Sequence, residues 1–346
     1  MLIKGRLREF LKAQKERLHA SMYSIFSGNV YYRVGSRDFN RENAAVFAGI
    51  KEHRRRVDAG TEVFELRRRV HMMEKGLTMR PRRDTFAVAY IDMVLDRFER
   101  TLANGVLTEV MLAWVRDVLD AYFEATQTST SAVIARARER YGELRPEVDH
   151  PYVGPSAVGE VREAVEIEAL RGLAEGRRSV RWYSDRPVER DIVDRAVSVA
   201  IEAPTACNRV PYRFRIFDVP EDARRVADIA GGTAGYVHNL QSVAVLVGDL
   251  SAYVAERDRH LVYIDGSLAA MSFLLSLEAQ GVSSLCINWP DIAKPEKKLA
   301  DLIGIKPYER VIMLIAFGYA DPDGLAPLSP KVPLTSARVF ERLSDG

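Results

Sequence analysis

The segment "RRSVRWYS", residues 177–184, sets three arginines within five positions, beside a serine and two aromatic residues. Guanidinium forks next to a hydroxyl suit a phosphate and its neighbouring polyol, because planar N–H pairs match phosphate oxygens in charge and geometry. The plain alternative is a solvated charged turn. "EAPTACNRVPYRF", residues 202–214, puts small residues and Asn208 between a helix and a strand. Its amide can donate and accept together, although a loop asparagine is ordinarily a turn residue. "GVSSLCINWPD", residues 281–291, leaves a buried strand and could aim backbone N–H groups at a flat ligand. In "RRRVHMMEKGLTMRPRRDTF", residues 67–86, Lys75, Arg80, Arg82 and Arg83 could bind an anion, or His71 and Glu74 could line a substrate site. The alternative there is an exposed basic helix end, whose surface ion pairs contribute little.

Familiar catalytic signatures are missing. "GGTAGY", residues 231–236, lacks the spacing and preceding strand of a dinucleotide fingerprint, and there is no P-loop, nucleophile elbow or HExxH. The six histidines, at 19, 53, 71, 150, 238 and 260, form no pair at metal-ligand spacing, so no metal is expected. Cys207 and Cys286 are the only cysteines and read as packing residues; without a disulfide framework, a reducing, cytoplasmic setting is the default. A net charge of +2 over 346 residues implies neither nucleic acid nor membrane, and no broad basic face with aromatics suits nucleic acid. No run of about 18 apolar residues suggests an integral membrane segment. The basic amphipathic start "MLIKGRLREFLKAQKERLHA" leaves peripheral membrane contact open. Chemistry without a conspicuous side-chain constellation points to a cofactor.

The elements that must position these segments fall into two groups. Residues 1–150 hold 27 Lys+Arg against 21 Asp+Glu, and the rest of the chain has the opposite bias, as two units of different character would. The first group reads almost wholly as helix. In residues 84–103, Phe86, Tyr90, Ile91, Val94, Leu95 and Phe98 recur at helical spacing; residues 107–126 repeat the pattern after Asn104-Gly105. The Pro- and Gly-containing stretch 145–159 then marks a boundary. Beyond it, residues 212–219, 242–250, 282–289 and 310–320 read as strands, and 261–281 as a long apolar helix closed by Gly281. The expectation is an all-helical N-terminal domain, 1–150, followed by a layered α/β or α+β domain, 151–346.

Taken together and in order, the segments of residues 168–340 resemble the nitroreductase family of FMN-dependent oxidoreductases. That family has an Arg-Arg-Ser-x-Arg-like opening, a small-residue loop with Asn, a long helix into Gly-Val-Ser, and a strand ending in Gly-Tyr; here the last is "IAFGYADPDG", residues 315–324, followed by Lys331. The resemblance implies an α+β fold, with a central mixed or antiparallel sheet flanked by helices, in a homodimer. It assigns the FMN phosphate and ribityl chain to Arg177, Arg178, Ser179, Arg181 and Lys331, and places Pro204, Thr205 and Asn208 at the isoalloxazine on a loop contributed by the partner subunit. The backbone of Asn288 and Trp289 would face the flavin N5 edge, and Tyr236 could cover the substrate. No side chain is implied as a catalytic acid or base, since the flavin carries the hydride. Val210 stands where many relatives have Gln, and Tyr212 where Trp is common, which removes one polar contact.

The implied activity is ping-pong hydride transfer from NADH or NADPH through FMN to a small organic acceptor. A specialised biosynthetic flavin oxidase or dehydrogenase is a second reading. A flavin-free scaffold that binds an acidic partner through the basic helices is a third.

Overall fold

The computed structural model describes residues 30–157 and 165–343. The basic start and the last two residues of the 145–159 boundary lie outside the described residues.

The apolar run Ser242–Asp249 forms β2, buried along nearly its whole length. It pairs antiparallel with β1 (Tyr212–Phe217) and with β4 (Glu309–Gly318), and β3 (Ser283–Ile287) adds to the far side of β4. The result is a four-stranded antiparallel sheet of order β1-β2-β4-β3. Successive side chains of a strand point to opposite faces, and both faces are covered. Val243, Val245 and Leu314 pack with Ala223, Val226 and Leu299, which lie on two short helices over residues 220–227 and 293–303. Ala244, Leu246 and Phe317 pack with Ala269, Phe273 and Leu277, on the long helix over residues 261–279. A Cβ at Gly248 would stand 2.1 Å from Val262 Cγ2, so the sheet and that helix approach more closely than a larger residue permits. The stretch Glu256–Ala279 has the length and composition of a membrane span, with mean hydropathy 1.4; here it packs on the sheet as a core helix does.

The helices that precede the sheet are α1 (Asn40–Asp58), α2 (Phe64–Leu77), α3 (Ile91–Ala103), α4 (Glu109–Ala125) and α5 (Ala132–Leu144). Helices α2 to α5 share one core built on Leu66, Val70, Leu95, Phe98, Leu119 and Tyr122. The periodicity of residues 84–103 predicts helix throughout, but α3 starts only at Ile91. Ala87 has φ +59°, which a right-handed helix cannot contain. Phe86 and Tyr90 still pack on this core from the preceding turn, and Tyr122 donates to the Phe86 carbonyl at 2.9 Å.

Helix α1 packs elsewhere. Ala45 and Val46 sit against Leu250, Tyr253 and Val262 of the sheet region. His53, buried, bonds the Ser251 carbonyl oxygen at 3.0 Å, and Arg56 donates to Asp249 at 3.2 Å. After α5, α6 (Ile167–Gly176) and α7 (Arg190–Ala200) lead into the sheet, and the longer helices that follow are α8 (Pro220–Ala227), α9 (Leu261–Ala279) and α10 (Ala293–Ile303). Of the two cysteines expected to pack, Cys286 is exposed on β3 and Cys207 is half-buried.

Candidate functional site

Helix α6 ends at Gly176, and the chain continues extended along the edge of β3. Ser179 forms a parallel bridge with Ser284, and Val180 donates its N–H to the Ser284 carbonyl at 3.2 Å. Tyr183 locks the segment: its hydroxyl donates to the Val180 carbonyl at 2.8 Å, and its N–H donates to Asn239 Oδ1 at 2.6 Å. With the backbone extended, residues 177, 179 and 181 share one side of the segment. Arg181 donates to the Ser179 carbonyl at 3.2 Å and lies 5.7 Å from the Tyr236 ring centroid.

Among the described residues, Arg177, Arg178 and Arg181 have no carboxylate within ion-pair distance. Buried Arg177 Nε makes no hydrogen bond, nor does the buried Ser284 Oγ of the adjoining strand. Burial raises the Glu278 carboxyl above its ordinary value, while the charges of Arg177 and Arg178 pull it down. Burial likewise raises the Tyr236 phenol, and Arg181 opposes it. Leaving buried donors unsatisfied costs about 1–3 kcal/mol each, a cost that a bound anion would relieve. A phosphate fits this donor set.

Beyond β3, Asn288 is exposed and Trp289 buried. The Trp289 indole donates to Glu296 Oε2 at 2.9 Å; the side chain anchors α10, which leaves only its backbone for a ligand. Buried Arg310 ties this turn down from β4, donating to Asp291 at 2.8 Å and pairing with Glu296 at 3.1 Å. Arg41 of α1 also bonds Asp291.

The loop of residues 204–211 lies in another place. Cys207, Asn208 and Val210 all have positive φ, between +51° and +57°. Such backbone costs about 1–3 kcal/mol per residue and persists only where its surroundings over-determine it. The Ala206 N–H donates to both oxygens of buried Asp265, each at 3.1 Å. Burial raises the Asp265 carboxyl above its usual range, against the Ala206 N–H and the charge of Arg209. Thr205 Oγ1 accepts the Val210 N–H at 3.1 Å. From α2, Arg67 donates Nε to the Asn208 carbonyl at 2.6 Å and Nη2 to Asn208 Oδ1 at 3.1 Å. The Asn208 acceptor is thereby taken, and its Nδ2 remains as a donor.

The expected site residues therefore form separate groups within one chain. Arg177, Arg178, Ser179, Arg181 and Tyr236 gather beside β3, with Asn288 and Trp289 at its end. Pro204, Thr205 and Asn208 lie with α2 and α9, and among the described residues no hydrogen bond or ion pair joins them to the first group. Lys331 sits on an exposed tail. His71 Nδ1 lies 3.2 Å from Glu74 Oε2, and Trp114 Nε1 donates to Glu74 Oε1 at 3.2 Å. Glu74 and Asn208 line one cavity of about 330 Å³, with Arg67 and Trp114. Sequence reading missed Arg67, Asp265 and Arg41. Arg67 lies in a run of three arginines, and its contact is 141 residues away.

The Nitroreductase family model matches residues 174–235 and 232–319. YdgI of Bacillus subtilis, provisionally named an NAD(P)H nitroreductase, is 24% identical over 191 residues, covering 44% of this chain and 90% of its own. A Thermus thermophilus protein named NADH dehydrogenase is 25% identical over 189 residues, covering 46% and 89%. Among solved structures, an FMN-dependent nitroreductase from Clostridium difficile aligns with a TM-score of 0.43 at 21% identity, over 50% of this chain and 99% of that one. The sheet of order β1-β2-β4-β3, with α6 to α10 around it, falls within the matched span or at its edge: residues 174–319 are a domain of the nitroreductase family, and a helical region precedes it.

Proposed function

We propose that this protein is a flavoprotein that takes hydride equivalents from NADH or NADPH and passes them to a small organic acceptor, with FMN held between two copies of the chain. Its family makes it an oxidoreductase. The observation that carries the cofactor reading is the cluster of Arg177, Arg178 and Arg181 beside β3, none ion-paired among the described residues, with the Arg177 Nε buried and unbonded. In this reading these residues and Ser179 hold the FMN phosphate and ribityl chain, and Lys331 joins them from the tail. The backbone of Asn288 and Trp289 borders the ring, and the donor Nδ2 of a partner's Asn208-bearing loop meets its pyrimidine edge. When bound, FMN supplies the two-electron chemistry; the chain orients the ring and excludes water. No side chain is needed as a strong acid or base.

The dimer reading rests on α9. Ile264, Leu268 and Met271, at i, i+4 and i+7, are all exposed on one face of an otherwise apolar helix. A second copy covers such a stripe at low cost. Residues 1–150 are proposed as a helical domain docked on 151–346 through α1.

The test is the visible spectrum of the purified protein, with the released chromophore identified after denaturation. About one FMN per chain, bleached by NADH or NADPH without oxygen, is expected. A colourless protein that takes up no added FMN overturns the reading. Arg181→Ala removes a charge-assisted contact of about 1.5–3 kcal/mol and should weaken FMN retention while the fold survives.

A further inference from the structure

We propose that the cavity between α2, α4 and the Asn208 loop holds a small aromatic monocarboxylate, with its carboxylate on Arg67 and its ring against Trp114, and that this acid, through a ring substituent that two electrons and protons reduce, is the electron acceptor. The proposal rests on the flavin reading for the word acceptor; the carboxylate site itself stands on the cavity.

Arg67 differs from its neighbours. Arg68 and Arg69 both pair with Glu65, whereas no carboxylate lies within ion-pair distance of Arg67 among the described residues. Its Nε and Nη2 are used on Asn208, and among the described residues its Nη1 makes no hydrogen bond. Burial alone pulls its pKa below the ordinary value, so the cation is desolvated without a counter-charge. A carboxylate at Nη1 supplies one, in the fork geometry that guanidinium favours.

The rest of the wall selects a ring. The Trp114 ring lies 5.5 Å from the Arg67 guanidinium carbon, and Met111 and Val110 continue the apolar surface, with Val110 exposed at the rim. A volume of about 330 Å³ is at the small end of ligand pockets, enough for a one- or two-ring acid. Glu74 closes the far end. It stands seven residues from Arg67, two turns along one face of α2, or about 10 Å. A second anion is repelled there, while a hydroxyl or amino group is accepted. The cavity also borders Asn208, and in the flavin reading that amide meets the ring. The helical region would then supply two walls of the acceptor pocket, through α2 and α4.

The experiment is calorimetric titration of the full-length protein with 4-hydroxybenzoate and with its uncharged counterpart 4-hydroxybenzamide, with and without added FMN. The acid should bind at least tenfold tighter than the amide, and Arg67→Met should abolish that preference. Val110→Trp, at the exposed rim, should block both probes at an unchanged melting temperature; this variant keeps the test sound if Arg67→Met loosens the loop. Equal binding of acid and amide, or a preference that survives Arg67→Met, overturns the proposal. Arg67-dependent acid binding by a protein that takes up no FMN overturns the flavin reading and the acceptor role, and leaves the carboxylate site standing.

Discussion

Replacing Asp265 by Ala should release the loop of residues 204–211. In the folded chain the carboxylate accepts the Ala206 N–H with both oxygens at 3.1 Å and is itself 3% exposed. A hydrogen bond to a charged group contributes about 1.5–3 kcal/mol. The same change removes the carboxylate that offsets Arg209, which is 4% exposed, has an unbonded Nε and faces the Tyr253 ring at 5.4 Å. Three left-handed residues then lose a constraint that holds them in place. A loss of about 2 kcal/mol is expected, or roughly 4–8 °C in Tm for a unit of 150–250 residues. Asp265→Asn keeps an acceptor and should lose about half as much. Thermal denaturation gives the magnitude, and trypsin gives the place: the bond after Arg209 resists cleavage while the side chain is buried and should open in Asp265→Ala. An unchanged Tm together with an unchanged tryptic pattern would show that Asp265 does not hold the loop.

Burial raises the Glu62 carboxyl to about 7, against the Glu65 N–H and Arg97. The folded state therefore binds this proton more tightly than the unfolded chain, and stability falls as pH rises from about 4.5 to 7. Glu62→Gln, which still accepts the Glu65 N–H, should flatten that fall, by up to about 3 kcal/mol at pH 8 relative to pH 4.5; urea titrations at both pH values measure it. His53, whose pKa burial lowers and whose Nδ1 lies 3.7 Å from Glu62 Oε1, gives an opposite slope below 6.5. Gly248→Ala forces a Cβ to within 2.1 Å of Val262 Cγ2 and should cost about 1–3 kcal/mol, with Val262→Ala restoring part of the Tm. Leu268→Arg, in the exposed stripe of α9, should shift the protein from dimer to monomer in light scattering; an unchanged mass refutes that face as the dimer contact.

The strands were legible because their apolar runs are short, continuous and bounded, as buried strands are. Ser242–Asp249 is read from its sequence to within a residue. Helix α3 was legible in its buried face but not at its start, because the left-handed Ala87 leaves the hydrophobic spacing intact. The three arginines suggest an anion site from residue type alone, and the sequence does not show that they run extended beside β3. What pairs with what was not legible: Arg67 reaches Asn208, and Arg41 reaches Asp291 across 250 positions, and no local pattern encodes such distances. The pocket beside Asn208 was hidden for the same reason, since its walls come from three remote segments.

Helix α1 carries a consequence for how this architecture can be rearranged. Its residues grip both the turn after β2, through His53 and Arg56, and the turn after β3, through Arg41. Cutting the chain near residue 150 would uncover Leu250, Tyr253 and Val262 and strip Asp249 and Asp291 of cationic partners from α1. The helices are therefore not a detachable cassette. Any gene fusion that transplants the sheet domain must carry α1 with it or rebuild that face, so the two halves are constrained to evolve as one piece.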